Sequence, residues 1–192
     1  MENVLKNEPK AVRVAGLLFL LAIVFYASGS AVTSGVLSGA DYLQQVPARQ
    51  TTLALGVLLM LCNSVAVAGI GVLLLPVLQR WNPTVAYAYW SAGLAEALLL
   101  AVGALFLLAQ VSVAQQWDAA NATTLQSLSA IFIQINYLFY QTAMAVLGLG
   151  SLFFCFAVWK FRLLPRWLAW WGLIGYAVFL VGAVGELLGW QV

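Results

Sequence analysis

Charge is scarce in this chain. Its 192 residues hold eight Lys/Arg and six Asp/Glu, 7% of the total, where a soluble domain carries about a quarter. So few charges cannot cover a water-soluble fold of this size, which excludes a soluble globular enzyme and a disordered chain. The net charge of +2 is too small for a polyanionic partner, so no nucleic acid is expected. Histidine is absent altogether. That removes His-ligated haem, His-based zinc sites and acid/base schemes that depend on imidazole. There is no Walker loop, GxGxxG, GxSxG, HExxH or CxxC pattern. No catalytic residues, metal or cofactor are therefore assigned, and the chain is not read as an enzyme. The two cysteines, Cys62 and Cys155, sit in apolar runs and read as small buried hydrophobes.

What remains is hydrophobic: 64% of residues, with a mean hydropathy of +0.98. Crossing a bilayer takes about 20 apolar residues as a helix. Five runs qualify, at about 12–34, 51–78, 84–112, 125–159 and 167–190. None alternates with the period of two that a barrel strand needs. The expected fold is all-α, a polytopic helical membrane bundle of five transmembrane helices forming one domain over residues 1–192. Asn82-Pro83 supplies an N-cap followed by proline at the first helical position, and Pro9 and Pro165 are placed to open their helices likewise. Thr123-Thr124-Leu125-Gln126 carries a capping-box pattern for the fourth helix.

Basic residues set the direction. Lys6, Lys10 and Arg13 precede the first span, Arg80 lies between the second and third, and Lys160, Arg162 and Arg166 lie between the fourth and fifth. Only Arg49 falls on the other side. This asymmetry places the N-terminus in the cytoplasm and, with five spans, the C-terminus outside. Lys160, Arg162 and Arg166 are also placed to touch anionic lipid headgroups. The first run shares features with a signal peptide, and it reads better as an uncleaved signal anchor. The fourth run is too long for the membrane, at roughly 50 Å against a core of about 30 Å. It must tilt, kink near Gly148-Leu149-Gly150, or project; its polar outer half, with Gln134, Asn136, Tyr137, Tyr140 and Gln141, favours projection.

Polar groups at membrane depth are few. Glu96 lies near the middle of the third span, where an ionised carboxylate costs about 2.5–3.5 kcal/mol on the mildest scale. It shares a helical face with Ala92, Gly93 and Gly103, small residues that allow close packing, so it should point into the bundle. Asn63 and Ser64 lie at similar depth in the second span. A hydrogen bond between Asn63 and a protonated Glu96 is the expected arrangement. Glu186 stands near the outer interface on the stripe Gly175–Gly182–Gly189, a face expected to pack against a neighbour. Gln134, Tyr137 and Gln141 share one face of the fourth helix at spacings that would reach Glu186. Together these four outline an outward vestibule between the third, fourth and fifth helices.

Five segments carry a resemblance. Gly148-Leu149-Gly150-Ser151-Leu152-Phe153-Phe154, Lys160-Phe161-Arg162-Leu163-Leu164-Pro165-Arg166 and Gly172-Leu173-Ile174-Gly175-Tyr176 resemble the closing hairpin of the bacterial "domain of unknown function 4386" membrane family. Arg13-Val14-Ala15-Gly16-Leu17-Leu18-Phe19-Leu20-Leu21 resembles its first span, and Ala95-Glu96-Ala97-Leu98-Leu99-Leu100 its acidic third span. Members often carry an Arg shortly before that Glu and a His in the fourth helix. This chain instead reads Tyr89-Trp90-Ser91-Ala92 and Asn136-Tyr137. The resemblance implies a polytopic helical protein of the bacterial inner membrane, and no reaction.

Two functions fit these residues. One is a non-catalytic accessory subunit that packs against other membrane helices, lipids or pigments of a larger complex, or against a second copy of itself. The other is a small transporter, channel or small-molecule receptor with Glu96 as its proton- or ligand-binding group. The missing repeat and the single mid-membrane acid favour the first.

Overall fold

The computed structural model describes residues 9–39, 41–118, 120–160 and 165–190. Five long helices dominate: α1 (Pro9–Val36), α2 (Gln50–Gln79), α3 (Pro83–Leu108), α4 (Ala122–Lys160) and α5 (Arg166–Leu187). All are long and apolar enough to cross a membrane, and no strand occurs among the described residues. The chain is an all-α, multi-pass membrane bundle. Each helix packs against the next in sequence, α1 on α2, α2 on α3, α3 on α4 and α4 on α5. Up-and-down packing gathers Lys10, Arg13, Arg80, Lys160 and Arg166 at one end, here the basic end, and leaves Arg49 at the other. Arg162 and Lys6 lie outside the described residues.

Local chemistry sets the helix starts, with some differences from expectation. Asn82 caps α3 as its spacing predicts: its side chain accepts from the Val85 N–H at 3.2 Å, and Pro83 takes the first helical position. Pro165 stands one residue outside α5 as its N-cap, and the start expected at Pro9 borders residues outside the described ones. The capping box at Thr123 is not used. Helix α4 begins at Ala122, so Thr123 lies inside the first turn, where its carbonyl accepts from the Ser127 hydroxyl. The third hydrophobic run breaks at Ala109, and a separate short helix, Gln110–Gln115, follows.

That short helix belongs to a cap over the end of the bundle opposite the basic one. With a helical turn at Tyr42–Gln45 and a 3-10 turn at Pro47–Arg49, it encloses Val36, Leu43, Val46, Leu53, Val113, Ala114 and Leu125 in one apolar cluster. A buried polar chain ties the cap to α4. The Tyr42 hydroxyl bonds to Ser129 Oγ, which donates to Gln110 Oε1, and Gln110 Nε2 donates to the Ser129 carbonyl at 3.0 Å.

Small residues bring the helices together. A Cβ on Gly29 of α1 would stand 2.7 Å from the Gly56 carbonyl of α2. One on Gly150 of α4 would stand 2.4 Å from the Ala92 Cβ of α3. The packing face of α5 is not the one its glycine repeat suggests. Gly175, Gly182 and Gly189 meet nothing within 4 Å; Ala169, Gly172 and Ala183 face α4 instead, with Gly172 against Cys155. Of the two cysteines, Cys155 is buried as expected, while Cys62 is exposed on the lipid-facing side of α2.

Candidate functional site

Between α1, α2, α3 and α4 lies a cavity of about 310 Å³. Its lining is apolar and aromatic, including Phe19, Tyr26, Tyr89 and Tyr140, with small residues Ala22, Ala92, Gly93 and Gly150 leaving the space open. Two residues singled out in the sequence, Glu96 and Asn63, line it together. At 1.5 Å per residue, Glu96 stands about 20 Å along α3 from its start and Asn63 about 24 Å up α2 from its end. Both are therefore near the middle of the membrane thickness.

Their arrangement differs from the bonded pair the sequence suggests. Glu96 is 5% exposed and Asn63 4%, yet no hydrogen bond joins them, and neither bonds another side chain among the described residues. No fully enclosed side-chain nitrogen or oxygen lacks a partner among those residues. The polar atoms of Glu96 and Asn63 accordingly open onto the cavity. Ser64 does not line it: its hydroxyl turns back along α2 to the Met60 carbonyl at 3.4 Å, as serines in apolar helices do. Buried Ser151 of α4 lines the cavity in its place.

Tyrosines frame the chamber. Tyr26 of α1 and Tyr140 of α4 stack with ring centroids 5.4 Å apart and planes 16° from parallel, on the cap side of Glu96. Tyr89 packs against Phe154 at 5.0 Å nearer the basic end. Sequence reading missed these three as site residues, although a phenol in mid-span is a signal in itself, since its hydroxyl needs a partner there. The wall contributed by α1 is thin. Phe19 and Ile23 line the cavity while remaining 45% and 60% exposed, so the chamber reaches the lipid-facing surface beside them.

The second sequence-derived cluster forms in part. Tyr137 and Gln141 both donate to Glu186 Oε2, and Gln141 Nε2 lies 3.0 Å from the Tyr137 hydroxyl. These groups join α4 to the end of α5. Gln134 stays exposed and outside the cluster, and α3 supplies no hydrogen bond to it. The cause is the register of α5, which ends at Leu187 level with Tyr137 and never rises to Gln134. Lys160 closes α4 and Arg166 opens α5, both at the basic end where headgroups would lie.

No curated protein and no solved structure matches the chain. A family model described as "Domain of unknown function (DUF4386)" matches residues 14–191. That match takes in four of the five helices whole and all but the first turn or so of α1, with the cavity and the Glu186 cluster, and the chain belongs to the DUF4386 family.

Proposed function

We propose that this membrane protein binds a small, largely apolar molecule within its helix bundle, with Glu96 and Asn63 hydrogen-bonding its polar group. The observation that carries the reading is the opening of both polar side chains onto one apolar cavity. Glue between helices would have bonded them to each other or to a neighbouring helix. A mostly apolar chamber with a few convergent polar groups is the usual form of a small-molecule site. This favours the receptor or transporter alternative over the accessory subunit. The activity is one of binding, without chemistry on the ligand. By the bias of basic residues and the family resemblance, we place the chain in the bacterial inner membrane with its N-terminus in the cytoplasm.

Native mass spectrometry of the purified full chain in mild detergent tests the reading. A discrete small-molecule adduct is expected on the wild type. Gly93 lines the cavity and has nothing within 4 Å of where its Cβ would stand. Gly93→Leu should therefore fill the chamber and remove the adduct while leaving the melting temperature unchanged or raised. An adduct equally strong in Gly93→Leu would place the ligand elsewhere and overturn the proposal.

A second reading rests on α5. Its Gly175 and Gly182 face away from the bundle beside exposed Trp171, Ile174 and Val178. Glycine faces of this kind let another transmembrane helix approach closely. Recovery of a second polypeptide at fixed stoichiometry would favour the accessory role.

A further inference from the structure

Resting on the binding reading above, we infer that the cavity selects lipophilic amines, entering sideways from the membrane past Phe19 and Ile23. Three observations converge. Among the described residues the only carboxyl on its wall is that of Glu96, and no Lys or Arg lines it. An anionic guest would face that carboxyl with nothing to offset its charge, whereas a protonated amine supplies the counter-charge that the protein withholds. The walls are aromatic, with Phe19, Tyr26, Tyr89 and Tyr140 among the lining residues, and aromatic rings attract cations. Desolvation strengthens that attraction, and a charge-assisted N–H to carboxylate bond is about twice as strong as a neutral one.

The route follows from the shape of the wall. Phe19 and Ile23 both line the chamber and face outward from α1, about 15 and 21 Å along a helix of 28 residues. The mouth therefore opens into hydrocarbon, and a ligand using it must already dissolve in the bilayer. A compact apolar body with one amino group meets both demands. Asn63 can accept from the same ammonium through its side-chain oxygen.

The test uses three probes that share one body and differ in charge: 1-adamantylamine, 1-adamantanol and 1-adamantanecarboxylate. Each is titrated calorimetrically into the full-length protein in nanodiscs, with protein-free nanodiscs subtracted. The amine should bind saturably, the alcohol roughly tenfold or more weaker, and the carboxylate not at all. Glu96→Gln should abolish the preference, bringing the amine down to about the affinity of the alcohol. Equal binding of amine and alcohol to the wild type, or preference for the carboxylate, overturns the cation inference and leaves the binding reading standing. Saturable binding of none of the three overturns both. If Glu96→Gln does not fold, the wild-type ranking decides alone.

Discussion

Gln110 sits in an apolar stretch, Leu107-Leu108-Ala109-Gln110-Val111, and is fully buried, as is Ser129. A buried amide is tolerable only when its donors and acceptor are matched. Here the Ser129 hydroxyl donates to the amide oxygen and the Ser129 carbonyl accepts from the amide nitrogen, while the Tyr42 hydroxyl bonds in turn to Ser129 Oγ. Gln110→Leu would leave the Ser129 carbonyl without its side-chain donor and the Ser129 hydroxyl without its acceptor. Stranding buried groups costs about 1–3 kcal/mol, so a clear fall in melting temperature in detergent is expected. Ser129→Ala should fall similarly, and the double variant by less than the sum, because both changes break one network. Strict additivity would mean that the two side chains act independently. Glu96 and Asn63 were legible in the sequence for the opposite reason. Polar groups at matching depth in adjacent apolar spans have few places to go, and the second span packs directly on the third.

At the scale of helices, packing hangs on a few close approaches. The α1–α2 crossing places Gly29 against the Gly56 backbone. A backbone oxygen cannot swing aside as a side-chain tip can, so Gly29→Val must push the helices apart. Overpacking of this kind costs about 1–3 kcal/mol, read as a lower melting temperature. Gly16 lies on the same helix with nothing within 4 Å, and Gly16→Val should leave it nearly unchanged. Equal losses at both positions would trace the damage to helix propensity and not to the crossing. Sequence reading failed on α5 for a related reason. A seven-residue glycine repeat indicates that a face is smooth, but not which side of the helix meets its neighbour. Leu180 against Gly148, and Gly172 against Cys155, decide the rotation, and those pairings exist only in three dimensions. The break at Ala109 was equally hidden, because neither Gly nor Pro marks it. The cavity was illegible because four helices each contribute a strip to it.

For the whole molecule, the lengths of α4 and α5 fix how the bundle stands in a bilayer. Helix α5 has 22 residues, about 33 Å, which matches a hydrocarbon core of about 30 Å. Helix α4 has 39 residues, about 58 Å, and runs unbroken through Gly148 and Gly150. The Glu186 bonds to Tyr137 and Gln141 fix the register of the two. Residues 122–136 of α4 therefore extend about 22 Å beyond the level at which α5 ends. There they meet the Tyr42–Gln45 turn and the Gln110–Gln115 helix, which form a folded cap and not a loop. Projection, one of the three resolutions of the overlong fourth run, accounts for this layout. In a chain with Cys62 and Cys155 replaced by Ala, a cysteine placed at exposed Gln126 should react with a membrane-impermeant maleimide. One at Leu149, half-exposed on the same helix but level with α5, should stay unmodified, because lipid covers it. Protection of Gln126→Cys would put the cap inside the bilayer and force α4 to tilt instead. The side of reaction carries the orientation as well: labelling in intact cells places the cap outside, the outcome expected from the basic residues at the opposite end. Labelling only after the membrane is permeabilised would invert the bundle.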